Sequence, residues 1–463
     1  MPHGTGVFST LRIAGFGDVH FVKGESHVLR SRKTQRQPRR PFAFVLIVAG
    51  AAVLSSAPRA QDKTASLSLD AAISLALANN PSLAEIKARS DAMAAVTPQA
   101  GSLPDPTLSV EMLNLPADSF DVREDQMTMV DVGLSQTVPF PGKLALKEHA
   151  AGLEAEAALQ TVEEARLRLV RDVKLRWWEL FYLERTLEIL DDTETSLRDV
   201  VRTVQARYRV GEAPQQDVLQ AQLELSRLGE ERLIHTAMHH REIARLNALL
   251  DRPPTTFFDL AYNEPEALPE VLDEERLDET AEQARPLLHQ KRRAVDAAQT
   301  RVELAKKDYY PDLTFSAGYA FRDRAPNGES RSDFVRFGVS LNLPVYAGRK
   351  QAKAVDQQQS EWLREKYALQ DTLRKVQADI AATLSDYRRA KDHYALLRHE
   401  IIPLAEQTVA SLRANFEVGK AGMADLLRAT ASLRNAEVQS WQAYAQARQA
   451  LAKLTAAAGK EGL

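Results

Sequence analysis

The stretch Tyr208-Arg-Val-Gly-Glu-Ala-Pro-Gln-Gln-Asp217-Val-Leu-Gln-Ala221 returns 208 positions later as Phe416-Glu-Val-Gly-Lys-Ala-Gly-Met-Ala-Asp425-Leu-Leu-Arg-Ala429. Both copies keep Val-Gly, an Asp six residues after the Gly and an Ala four residues after the Asp. Two further pairs lie upstream. Gly133-Leu-Ser-Gln-Thr-Val-Pro139-Phe-Pro-Gly142-Lys143 is echoed by Gly338-Val-Ser-Leu-Asn-Leu-Pro344-Val-Tyr-Ala-Gly348-Arg349, and Pro104-Asp105-Pro-Thr-Leu-Ser109 by Pro311-Asp312-Leu-Thr-Phe-Ser316. Three collinear matches at nearly one spacing indicate a duplicated unit of roughly 200 residues.

Reading back from the first Val-Gly, residues Gly142 to Tyr208 hold no internal Pro and only Gly152 as an internal Gly. Strong helix formers dominate. Leu180, Leu183, Leu187, Leu190, Leu197, Val201, Val204 and Tyr208 recur at spacings of three, four and seven, which is a heptad seam. The segment predicts one helix on the order of 100 Å long. Arg349 to Phe416 repeats the design, broken mainly at Pro403. Gly211 and Gly419 can end these helices in the left-handed conformation, and Pro214 can open the next one. Partner helices follow over Gln215 to Leu250 and Ala424 to Ala458, giving two antiparallel helical hairpins with their tips at one end of a rod.

At the opposite ends of the long helices the period changes to two. Leu313, Phe315, Ala317, Tyr319 and Phe321 alternate with small or polar residues, as do Val335, Phe337, Val339, Leu341 and Leu343. Weaker equivalents run from Thr107 to Asn114 and from Met127 to Val138. Each has about the length of a membrane-spanning strand, with one apolar and one polar face. Four strands cannot close a barrel. An open edge in lipid would leave backbone groups unpaired at several kcal/mol each, so further copies must complete it, and three copies would supply twelve strands.

Composition narrows the function. Cysteine is absent, which excludes disulfides and thiol nucleophiles. Arg30 to Arg40 form a basic region and Pro41 to Leu54 an apolar one, followed by small residues up to Ala60, the pattern of a cleaved secretory leader. Residues before Val28 are superfluous to that leader and suggest a start codon set too early. Nine of the 60 Lys/Arg and two of the 63 Asp/Glu precede residue 61, so the mature chain carries 51 basic and 61 acidic groups, a net −10. That balance speaks against a nucleic-acid partner. No nucleophile–base pair, phosphate loop or zinc-protease signature appears, so neither an enzyme nor a cofactor is expected. The expected plan is a leader with extension (1–60), a first repeat (61–250, strands within 107–138, tip 209–214), a Pro-rich connector (251–275), a second repeat (276–458, strands within 312–343, tip 417–422) and a tail (459–463).

With Ala76-Leu-Ala-Asn-Asn-Pro81 in the first helix, the paired hairpins and both Val-Gly tips, the chain resembles the TolC-like outer-membrane efflux family over roughly residues 66 to 458. Val138-Pro-Phe-Pro-Gly-Lys143 resembles its heavy-metal branch. The resemblance implies a mainly α protein with a membrane β-barrel: a homotrimer whose twelve-stranded barrel in outer-membrane lipid continues as an antiparallel coiled-coil helical barrel through the periplasm. It implies a passive conduit for heavy-metal cations, fed by an inner-membrane resistance-nodulation-division pump through a periplasmic adaptor. Ducts for drugs or for type I protein secretion share this architecture, and a periplasmic coiled-coil scaffold without a pore is the alternative of another class.

The resemblance also implies roles for residues. Val210, Gly211, Asp217, Val418 and Gly419 would meet the adaptor. Asp425 would line the periplasmic gate, with Arg428 one turn on as its partner; both Asp residues also suit a plain helix start. Better-known members carry an Arg where this chain has Ala421 and a second gate Asp where it has Arg428, so their salt-bridge latch is not carried over. Arg322 and Arg336 fall on the predicted lumen face, and Tyr319, Phe321 and Phe334 suit an aromatic belt. Trp177, Trp178, Phe181 and Tyr182 are expected in interhelical packing. His235 and His239 have a zinc-compatible i, i+4 spacing, but surface histidines explain them without a metal.

Overall fold

A computed structural model of the protein describes residues 66–261, 267–270 and 273–460, so the leader and extension read on residues 1–60 lie outside it. The first half runs α1 (Leu69–Asn79), α2 (Pro81–Gly101), β1 (Thr107–Leu113), β2 (Met129–Val138), α3 (Lys143–Arg209) and α4 (Gln215–Leu249). The second runs α5 (Glu274–Ala284), α6 (Pro286–Lys307), β3 (Leu313–Phe321), β4 (Phe334–Leu341), α7 (Gln351–Leu396), a π-helical turn (Leu397–Ile401), α8 (Ile402–Glu417) and α9 (Met423–Ala457). Element for element, the order repeats.

The repetition extends to single contacts. Asn80 separates α1 from α2: its side chain accepts from the Leu83 N–H, Pro81 takes the first helical position, and its amide donates to Leu249 O at the end of α4 (3.0 Å). Arg285 takes the same place between α5 and α6, ahead of Pro286, and donates to Ala457 O at the end of α9 (3.3 Å). In both halves a side chain from the break between short helices satisfies a carbonyl that the return helix leaves unpaired.

Helix α3 holds 67 residues without interruption, roughly 100 Å at 1.5 Å per residue. Leu180, Leu183, Leu190, Leu197, Val201 and Val204 are buried along it as the heptad seam requires, but Tyr208 is 46% exposed, so the seam ends one turn before the tip. In the second half Pro403, which lacks an N–H to donate, sits just beyond the π-helical turn rather than ending the helix. The wider turn resets the phase. Leu397 and Ile402, five apart, are both buried against α9 in one cluster, whereas an unbroken α-helix would turn them roughly 140° from each other.

The largest core surrounds the middle of α3. Trp177, Leu180 and Phe181 pack with Ala72 and Ala76 of α1, Ile243, Leu246 and Leu250 at the end of α4, and Tyr444 of α9. Trp178, Trp441 and Tyr394 extend it through edge and tilted ring contacts. Burying each large side chain contributes roughly 1.5–3 kcal/mol. Phe258 and Leu260 of the connector enter this core, and Leu260 bridges to Leu67 in a two-stranded parallel contact. The described parts of the connector therefore pack at the middle of the rod, where Pro269 O also accepts from the Tyr387 hydroxyl (2.6 Å).

The four strands form one antiparallel sheet in the order β1-β2-β3-β4. Its central seam joins the halves, pairing β2 with β3 from Val130↔Phe321 to Val138↔Leu313. One face collects Leu108, Val110, Met112, Leu134, Phe315, Tyr319, Phe321, Val335, Phe337 and Val339, all exposed. Within the chain, β1 and β4 each have one unpaired edge. Among the described residues no helix is long and apolar enough to cross a membrane.

Candidate functional site

The two hairpin tips are built alike. Gly211 (φ +81°) and Gly419 (φ +73°) take the left-handed conformation, where a Cβ would be strained. Glu212 N–H donates to Arg207 O (2.9 Å) and Gly211 N–H to Tyr208 O (3.0 Å); Lys420 N–H donates to Asn415 O (2.8 Å) and Gly419 N–H to Phe416 O (3.1 Å). This reciprocal closure ends both helices. Val210 and Val418, just before the glycines, are 70% and 67% exposed. Asp217 and Asp425 lie in the first turns of α4 and α9, where the helix dipole favours an acid.

Beyond that common frame the tips differ. Asp425 is exposed and ion-paired with Arg428 three residues on, whereas no such pair is recorded at Asp217. Arg207, which the sequence did not single out, brings the tips together. Its guanidinium donates to Phe416 O (3.3 Å) and Glu417 O (3.1 Å) and lies 5.3 Å from the Phe416 ring centroid. Higher on the rod, buried Arg434 of α9 pairs with Glu224 (3.6 Å) and Glu231 (3.3 Å) of α4. Nearby, burial first and then the charges of Glu406 and Asp192 push the Glu437 carboxyl above the usual carboxylate range.

At the other end, Arg336 donates to Asp131 (2.5 Å), which is almost fully buried. The pair reaches from β4 to β2 across β3. It lies over Gly318 and Gly133: a Cβ on Gly318 would approach Asp131 Oδ1 to 3.1 Å, and one on Gly133 would approach Arg336 Nη2 to 3.0 Å. Arg336 therefore shares the polar face with a neutralising carboxylate. Arg322 sits just past β3, donating to Ser332 O (2.7 Å) and Gln126 O (3.1 Å), with its guanidinium 4.2 Å from the Phe334 ring. Phe334 pairs with Ala320 and so belongs to the polar face, which corrects its assignment to an aromatic belt. Its strand parity, two residues before Arg336, determines this. Tyr319 and Phe321 remain on the apolar face with ring centroids 4.6 Å apart.

Where strand meets helix, the run Val138-Pro-Phe-Pro-Gly-Lys143 acts as a clasp. Buried Lys143 pairs with Asp312 (2.9 Å) and Asp308 (3.2 Å), the Phe140 N–H donates to Asp312 (2.8 Å), and Phe140 stacks on Tyr310 (4.4 Å). Burial raises the Asp312 pKa, but the Lys143 and Phe140 hydrogen bonds and the Lys143 and Lys147 charges outweigh it, holding the carboxyl below its usual range. His239 lies 3.5 Å from Glu184, and burial lowers the His235 pKa. Among the described residues no three His, Cys, Asp or Glu side chains are grouped to hold a metal ion.

The chain is similar to known proteins over most of its length. The family described as "Outer membrane efflux protein" matches residues 72–241 and again 277–460. The cobalt-zinc-cadmium resistance protein CzcC of Cupriavidus metallidurans is 23% identical over 404 residues, covering 86% of this chain and 91% of CzcC. The protein CyaE of Bordetella pertussis is 27% identical over 429 residues, covering 89% and 88%. A crystal structure of CusC, which forms a transmembrane channel, superposes with a TM-score of 0.72 at 16% identity, over 85% of this chain and 92% of that one. With one family matching both halves and the fold of a channel subunit around them, the chain belongs to the outer membrane efflux protein family.

Proposed function

We infer that three copies of the chain form the outer-membrane duct of a tripartite efflux system, a passive conduit for heavy-metal cations delivered by an inner-membrane resistance-nodulation-division pump through a periplasmic adaptor. The four-stranded sheet carries this reading. Its apolar side chains point outward, its polar face holds a paired Arg and Asp, and both edges are open, a combination that suits a segment of a lipid-embedded barrel and no isolated sheet. The α3–α4 and α7–α9 hairpins extend the duct through the periplasm. Exposed Val210 and Val418, with Gly211, Asp217 and Gly419, present the adaptor-facing tips. Asp425 contributes one carboxylate per copy at the mouth, where a ring of acids would attract cations, and Arg428 sets how much of that charge is free.

The cation substrate is supported by the likeness to CzcC, named for cobalt, zinc and cadmium resistance. Deleting the gene and challenging the strain with cobalt, zinc, cadmium, drugs and secretion reporters tests it. Selective metal sensitivity is the expected result. Sensitivity to drugs alone, or a secretion defect alone, would move the duct to another substrate class. Recovery of the protein as a periplasmic monomer without conductance in planar bilayers would overturn the duct itself.

A further inference from the structure

The joint between the chain's two halves is a template for a joint the single chain leaves open. Strand β2 of the first half pairs with β3 of the second through Thr137↔Thr314, Ser135↔Ser316 and Gly133↔Gly318, with the two Thr hydroxyls 2.9 Å apart. Below that seam Lys143 clasps Asp312. Each of these residues has a counterpart in the other half. Gly133, Ser135 and Thr137 correspond to Gly338, Ser340 and Asn342; Asp312, Thr314, Ser316 and Gly318 correspond to Asp105, Thr107, Ser109 and Glu111; Lys143 corresponds to Arg349. Gly338, Ser340, Thr107, Ser109 and Glu111 lie on the two open edges, β4 and β1, Asn342 and Asp105 lie just beyond the strand ends, and Arg349 shortly precedes α7. Arg349 and Asp105 are both exposed, of opposite charge, and without a recorded ion pair.

We propose that adjacent copies of this chain join by repeating that internal seam. Strand β4 pairs antiparallel with β1 of the next copy in the register Ser340 to the partner subunit's Ser109 and Asn342 to the partner subunit's Thr107, and Arg349 clasps the partner subunit's Asp105. The proposal rests on the trimeric duct reading and adds the register and the residues that set it. Face parity agrees: Gly338 and Ser340 share the polar face with Arg336, and Ser109 and Glu111 share it with Gly133 and Asp131. A slip of one residue would turn the apolar side chains of β1 into the lumen. The register also sets the partner subunit's Glu111 opposite Gly338, whose missing side chain leaves a carboxylate room to reach Arg336 two residues away.

The absence of native cysteine makes the test direct. Directly opposed residues on antiparallel strands have Cα atoms about 4.5–5.5 Å apart, within disulfide reach. The full-length S109C/S340C protein is therefore expected to oxidise into a covalent three-chain ring on non-reducing gels, while E111C/S340C, displaced by two residues, stays uncoupled. In parallel, D105R and R349D should each lose most of the heat-resistant oligomer, and D105R/R349D should regain it. Preferential coupling of the displaced pair, no coupling in protein whose measured mass is that of a trimer, or a double reversal as defective as the singles would overturn the seam and leave the duct standing. A monomeric membrane form would remove the reading beneath it.

Discussion

The guanidinium of Arg207 holds the end of the second long helix through Phe416, donating to its carbonyl at 3.3 Å and lying over its ring. With the further bond to Glu417 O, one cation serves two carbonyls at the negative end of α8 and fixes the spacing of the two tips. Arg207→Ala should loosen both. Hydrogen exchange of tip amides is expected to rise about tenfold, corresponding to roughly 1–2 kcal/mol for charge-assisted bonds at a partly exposed site. Arg207→Lys should recover only part of it, because an ammonium lacks the planar fork.

At the neighbouring tip, Asp425→Ala should raise single-channel conductance or weaken block by divalent cations. Arg428→Ala, which frees the carboxylate, should strengthen that block. Neither should lower stability by more than about 1–2 kcal/mol, since an exposed i, i+3 pair contributes about 0–1 kcal/mol and an acid in the first helical turn a similar amount. Unchanged conductance and block in Asp425→Ala would remove the residue from the gate.

Lys143 poses a different question because it is buried. Lys143→Met leaves Asp312 and Asp308 facing each other without their cation and should destabilise the junction by about 2–4 kcal/mol. The loss should appear as a lower melting temperature of the detergent-solubilised protein.

The Glu437 carboxyl binds its proton more tightly folded than unfolded, so stability falls as pH rises from the ordinary carboxylate range through the raised value. Glu437→Gln should therefore be more stable than the parent at neutral pH. Melting temperatures of the two proteins should converge below pH 4 or so, where both states are protonated. A constant difference across pH would assign the effect to packing.

Much of this architecture was legible because it is periodic. The heptads of α3, the period-two runs around Phe315 and Val339 and the two Val-Gly tips each declare a local geometry, and their recurrence at nearly one spacing pairs the halves. What escaped depends on residues far apart in the chain. Arg207 is one of many arginines until the fold brings it to Phe416. The Asp131–Arg336 pair needs the sheet register. Phe334 is different: its parity with Arg336, two residues on, is local and already sets it on the polar face, and its aromatic ring at a strand end is what suggests a belt. Pro403 looked like a break, yet a single wide turn absorbs it. Val138-Pro-Phe-Pro-Gly-Lys143, read as a family mark, is locally a clasp between repeats.

The open edges of β1 and β4 carry a genetic consequence. If a closed ring needs both edges from every copy, one faulty subunit spoils the assembly it enters. A variant damaged at only one edge would still join by the other and should act dominantly over the intact gene. Equal co-expression would leave roughly one ring in eight free of it, far below the half expected of independent pores.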